Sequence, residues 1–136
     1  MYLLEKEQMR KVFQSESIDA VIHFAGLKAV GESVTMPLKY FRNNLGGTIN
    51  LVNNMIENGI KYFVFSSTAA VYGEPKNIPI IETDELKPTN PYGESKLAVE
   101  KFLKWCTNAY DFNYISLRYF NAAGADESGT IGEDHN

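Results

Sequence analysis

Apolar residues recur along the chain at two spacings. Residues 3 to about 14 set Leu3, Leu4, Met9, Val12 and Phe13 among charged neighbours, a pattern that predicts an amphipathic helix. Asp19 to Phe24 is a short apolar run, as expected of a buried strand, and a loop containing Gly26 and Gly31 follows. From Pro37 to about Asn58, Leu38, Phe41, Leu45, Ile49, Val52 and Ile56 fall at helical spacing, and Gly59 closes the segment as a C-cap residue. Ile60 to Phe65 predicts a second strand. Residues 68 to 90, rich in Pro, Asn and Thr, form a long connection of a kind that is usually functional in a compact domain. Asn90 and Pro91 supply a side-chain cap and a proline at the first helical position, starting a helix that runs to about Ala109. Phe112 to Leu117 predicts a third strand, with loop from Arg118 onward.

Strands alternating with helices imply an α/β fold: right-handed crossovers and a parallel, doubly wound sheet with helices on both faces. Ligands of such sheets gather beyond the carboxyl ends of the strands. Three segments fall there. Phe24-Ala25-Gly26-Leu27-Lys28 offers small residues that let a flat or phosphorylated ligand approach the backbone, with Lys28 as a point charge; it equally suits a tight turn with a solvated lysine. Ser66-Ser67-Thr68 offers three hydroxyls to a substrate oxygen, or a polar turn. In Arg118-Tyr119-Phe120-Asn121, Phe120 could pack on a ring and Asn121 could hydrogen-bond a ligand, or the segment is ordinary strand-end packing.

Tyr92 and Lys96 lie four residues apart near the start of the Pro91 helix, so they share one face. A neighbouring ammonium favours the phenolate, and a tyrosine so tuned can act as general base on an alcohol. The spacing alone says little, since Tyr2 with Lys6 and Tyr72 with Lys76 repeat it. Tyr92 is singled out by its helix N-terminus and by the hydroxyl-bearing strand end upstream.

Composition narrows the partners. In 136 residues one domain at most is expected, and the net charge of −4, with thirteen scattered Lys and Arg, argues against nucleic acid and against an anionic membrane surface. No apolar run approaches the roughly 18 residues of a membrane span, and the charged N-terminus is unlike a signal peptide. The single cysteine, Cys106, excludes an internal disulfide and suits a reducing, cytoplasmic setting; it reads as a buried small hydrophobe. His23 reads as structural, because no cluster with metal-ligand spacing accompanies it, and His135 is a weak metal candidate in a polar tail, so no metal is expected.

Taken together, His23–Ser33, Tyr40–Asn44, Phe65–Gly73, Asn90–Lys96, Arg118–Asn121, and the glycines and acids of Gly124 to Asp134 run in an order and spacing similar to the extended short-chain dehydrogenase/reductase family. The resemblance implies a Rossmann-like domain that binds NAD and acts on a UDP-sugar. It implies C4 epimerisation, interconverting UDP-glucose and UDP-galactose through a 4-keto sugar, in galactose metabolism. By the same resemblance, Tyr92 is the base and Lys96 holds the nicotinamide ribose. Thr68 bridges tyrosine and sugar oxygen. Phe24, Ala25, Gly26, Leu27, Lys28, Asn43 and Phe120 line the NAD site, with Tyr92 and Lys96. Asn121 contacts the nucleotide sugar together with Thr68 and Tyr92. Dehydratases of the family carry acidic residues just after the Thr68 position; Ala69 and Ala70 stand there, which favours epimerisation. Enzymes acting on UDP-glucuronate, by epimerisation or decarboxylation, and a non-catalytic nucleotide-binding module remain open alternatives. The family's G-x-G-x-x-G turn is absent, so residues 1–136 are expected to be a partial NAD-binding domain, about two-fifths of a family member and inactive alone. The family commonly forms homodimers, with the Pro37–Asn58 and Pro91–Ala109 helices as candidate contacts.

Overall fold

The computed structural model describes residues 3–131; His135, the Gly132–Asp134 segment and Tyr2 lie outside the described residues. In chain order the elements are helix α1 (Lys6–Ser15), strand β1 (Ala20–His23), helices α2 (Val30–Thr35), α3 (Pro37–Tyr40) and α4 (Gly47–Glu57), strand β2 (Tyr62–Thr68), helix α5 (Pro91–Ala109) and strand β3 (Asn113–Tyr119). The strands form one parallel sheet in the order β1-β2-β3, with Val21 opposite Phe63, Phe63 opposite Tyr114, and Thr68 opposite Tyr119 at the far end.

Both crossovers step the same way across the sheet, so right-handed connections deliver α4 and α5 to one face. There Leu51, Val52 and Met55 of α4 and Val99, Leu103 and Cys106 of α5 close on Phe63 and Phe65 of β2, with Met9 and Phe13 of α1 completing the core. The alternation along β2 follows from the two-residue period of a strand: Phe63, Phe65 and Ser67 face the helices. On the opposite face Ile22, Tyr62 and Ile115 are 63%, 60% and 60% exposed. Among the described residues, the helices therefore cover one face of the sheet, where the sequence pattern predicts helices on both.

Four local features differ from the sequence reading. The loop after β1 contains the short helix α2. The expected helix from Pro37 to Asn58 is a continuous helical run whose middle, Phe41–Gly46, is a π-helical turn. Its inward face carries Tyr40, Asn44, Thr48, Leu51 and Met55, while Leu38, Phe41 and Ile49 are exposed. Polar Asn44 and Thr48 take the inward positions because their groups are hydrogen-bonded there, so apolarity alone misassigned the stripe. Finally, β2 and β3 pair to their last residues, so Ser66–Thr68 and Arg118–Tyr119 belong to strands rather than to loops.

The caps follow expectation. Asn90 Oδ1 accepts from Gly93 N at 2.9 Å, with Pro91 at the first helical position of α5. Gly59, at φ +71°, ends α4, and its N–H and that of Ile60 close on the Ile56 and Met55 carbonyls at 3.2 and 2.9 Å.

The one-sided core makes a contrast testable. Leu103→Ala, at a fully buried site, is expected to cost about 2–5 kcal/mol in denaturant unfolding. Ile115→Ser on the open face is expected to cost about 0.5 kcal/mol or less. Equal losses would mean that the core is misassigned.

Candidate functional site

The carboxyl ends of β1 and β2 and the first two turns of α5 meet at one corner, and Asn44 organises it. From the π turn, the Asn44 side chain accepts from Leu27 N at 2.8 Å and donates to Leu27 O at 3.0 Å and to Ser95 Oγ at 3.1 Å. One buried amide thus fixes the 24–28 loop to α5. Ser95 Oγ in turn donates to Tyr92 O at 2.7 Å, and Asn43 Nδ2 donates to Asn44 Oδ1 at 3.1 Å. A Cβ at Gly26 would lie 3.3 Å from Asn44 Oδ1 and 3.4 Å from Lys96 Nζ, so a side chain there would crowd both. The absent side chain leaves the loop backbone open beside an ammonium, a cradle suited to a polar, partly planar ligand.

Lys96 is 5% exposed. Its Nζ donates to Ser66 O at 2.9 Å and sits 4.9 Å from the Phe65 ring centroid, a cation–π contact. Burial pushes its pKa down to about 8. His23, beneath it on β1, is held down to about 4 by burial and then by the charge of Lys96. Thr48 Oγ1 donates to Asn44 O at 2.6 Å, so His23 Nε2, 3.0 Å from that hydroxyl, is the donor of a neutral ring. His23 is thus a buried ring whose Nε2 is taken up by Thr48.

Thr68 ends β2. Its hydroxyl accepts from Ala70 N at 3.2 Å and caps the 3₁₀ turn Ala69–Tyr72. That turn packs on the start of α5: a Cβ at Gly93 would be 2.8 Å from Ala70 O and 3.0 Å from Pro88 Cβ. Thr68 and half-buried Tyr92 thus flank a backbone contact too close for any residue but glycine at 93. Ser67, by contrast, is 3% exposed and spends its hydroxyl on Glu100 at 2.5 Å, so it is closed to a ligand.

The aromatic positions lie at the rim. Phe24 and Phe120 are 64% and 60% exposed, with ring centroids 6.2 Å from Tyr119 and 6.5 Å from Tyr72. Asn121 lies exposed beyond β3. Asn44, Gly93, Ser95 and Arg118 stood in the matching segments but were given no role of their own, and Glu100 escaped the sequence reading. Asn44 left a usable signal, a polar residue on one helical face with Tyr40, Thr48, Leu51 and Met55. Among the described residues no helix is long and apolar enough to cross a membrane, and Cys106 is buried with its thiol pKa pushed up.

Residues 1–135 match the model of the NAD dependent epimerase/dehydratase family. The chain is 59% identical over 124 residues to a UDP-glucose 4-epimerase of Halalkalibacterium halodurans, covering 91% of this chain and 37% of that protein. It superposes with TM-score 0.96 and 42% identity on a UDP-glucose 4-epimerase from Brucella ovis in complex with NAD, covering 99% of this chain and 42% of the other. A UDP-glucose 4-epimerase from Bifidobacterium longum in complex with NAD+ and UDP aligns with TM-score 0.93 and 46% identity, over 98% and 41% of the two chains. The chain spans about two-fifths of the length of these relatives.

Two titrations test the corner. Because the folded His23 pKa is below the unfolded value of 6.5, the unfolded chain binds the extra proton between pH 6.5 and 4. Stability should fall as pH falls through that window, by up to about 3 kcal/mol in total. His23→Gln should flatten that slope, measured by urea unfolding at each pH; an unchanged slope would place the acid sensitivity elsewhere. Lys96 has the same sense of shift at higher pH, so the folded state strengthens as pH rises from 8 to 10.5. At pH 7, where burying the charge is fully costly, Lys96→Met should stabilise the fold by about 1–2 kcal/mol after the loss of the Ser66 bond.

Proposed function

Because the chain belongs to the NAD dependent epimerase/dehydratase family, we propose that it carries the reacting half of an NAD-dependent UDP-sugar 4-epimerase that interconverts UDP-glucose and UDP-galactose. The observation that carries this reading is the Gly26–Lys96 corner: a side-chain-free loop beside a buried ammonium, on the same helix face as Tyr92. In support, relatives of this chain are named UDP-glucose 4-epimerases, and neighbours in structure hold NAD, one of them together with UDP.

The residues fit the cofactor. Gly26 leaves the space and Lys96 the charge for a ribose, with Phe24, Ala25, Leu27, Lys28 and Asn43 around it and Phe120 at the rim. NAD, when bound, supplies a hydride acceptor and donor. Lys96 would hold the nicotinamide ribose. Tyr92 takes the proton of the C4 hydroxyl and returns it after the sugar has turned over as its 4-keto form. Thr68 holds the C4 oxygen toward Tyr92, and Asn121 holds the nucleotide sugar. Ala69 and Ala70, which follow Thr68, offer no acid for eliminating water.

A homodimer through the outer faces of the α3–α4 run and α5 belongs to the same reading, supported by Leu38, Ile49 and Trp105, which are 86%, 40% and 72% exposed. A cytoplasmic setting is consistent with the lone buried Cys106.

Calorimetric titration with NAD is expected to give binding to the wild-type chain and at least a tenfold weaker affinity in Lys96→Ala. In any longer polypeptide that contains this chain and converts UDP-galactose, Tyr92→Phe should lower kcat by about 10²–10⁴ while UDP-sugar binding persists. An unaltered kcat would remove Tyr92 from the base role.

A further inference from the structure

One buried ionic cluster has no part in the reaction above. Glu100 follows Tyr92 and Lys96 at intervals of four on α5, so all three lie on one face of the helix. Two groups from the sheet meet its carboxylate. Ser67 of β2 donates from Oγ to Oε1 at 2.5 Å. Arg118, opposite Ser67 on β3, donates from Nε to Oε1 at 3.1 Å and from Nη2 to Oε2 at 2.8 Å. Its remaining fork reaches further: Nη1 donates to Tyr72 OH at 2.8 Å and to Glu82 O at 3.1 Å, and the guanidinium lies 5.0 Å from the Tyr72 ring centroid.

The cluster therefore ties together α5, both strands, the 3₁₀ turn after Thr68 and the long loop. Its chemistry is directional. Apolar side chains would hold α5 on the sheet equally well but would allow it to slide, whereas a two-pronged guanidinium–carboxylate pair fixes both distance and angle. Ser67 precedes Thr68 by one residue, and Glu100 follows Lys96 by one turn. The cluster thus sits directly behind the groups whose relative position the reaction needs.

We propose that Ser67, Glu100 and Arg118 are positioning residues that hold the α5 face bearing Tyr92 and Lys96 in register with the β2 end bearing Thr68. This rests on the reading of Tyr92, Lys96 and Thr68 given above. The Lys96 titration reports the register without substrate, because burial alone lowers its pKa and that burial lasts only while α5 stays packed on β2 at Ser66. The titratable groups around it are His23 of β1 and its helix neighbours Tyr92 and Glu100.

The experiment follows the Lys96 Cε and Nζ signals by NMR from pH 6 to 11 in the full chain, with two variants. Ser67→Ala cuts the link to β2 and removes no charge. Glu100→Met with Arg118→Met removes one charge of each sign, keeps the volume and preserves the melting temperature if the pair only fills space. Both variants, folded, should raise the Lys96 pKa from its wild-type value toward 10.5, by at least half a unit. In a polypeptide that turns over, kcat should fall at least tenfold with little change in KM. A wild-type Lys96 titration in folded Ser67→Ala, or in the folded double variant, overturns the proposal. An unaltered kcat in Tyr92→Phe of a longer polypeptide that turns over, alongside the shifted titrations, would refute the epimerase reading and leave the register-holding role of the cluster standing.

Discussion

The corner depends on one constraint: an ammonium held 5% exposed against the sheet must find oxygen and an aromatic face, or it will not stay charged. Lys96 finds the Ser66 carbonyl at the end of β2 and the ring of Phe65 one residue earlier. Meeting that requirement presses α5 onto β2 at its second turn and opens the side of the lysine that faces Gly26. His23 is forced neutral beneath it. The fold tolerates the cost because its core, below the corner, is closed by Phe63, Phe65, Val99, Leu103 and Phe112.

Around this charge, an amide and two glycines arrange the corner. Asn44 serves both the Leu27 backbone and Ser95, so one side chain ties the β1 loop to the start of α5. Gly93 lets the turn after Thr68 rest on the helix backbone. The ionic cluster of Glu100 and Arg118 lies one turn further along the same face of α5.

Much of this was legible in the sequence. The Asn90-Pro91 pair located the start of α5, the apolar runs located three parallel strands, and the structure sets Gly26 beside Lys96, two of the positions that the family resemblance singled out. What escaped has a physical cause. The Pro37–Asn58 stripe was assigned by apolarity, yet Asn44 and Thr48 are buried because hydrogen bonds satisfy them, and no periodicity of apolar residues reports that. Ser67 looked like one of three free hydroxyls, but its partner Glu100 is 33 residues away, a pairing that only the tertiary structure makes. Arg118 was read as loop because strand ends depend on the neighbouring strand, and β2 extends three residues past its apolar run.

The most direct measurement is the absolute pKa of Lys96 in the unliganded wild-type chain, read from its own side-chain resonances against those of the exposed lysines. The account predicts a midpoint near 8, well below the ordinary lysine value of 10.5. A midpoint at 10.5 would mean that the ammonium is solvated, that α5 does not press on β2 at Ser66, and that the corner described here is not the organising element of the site.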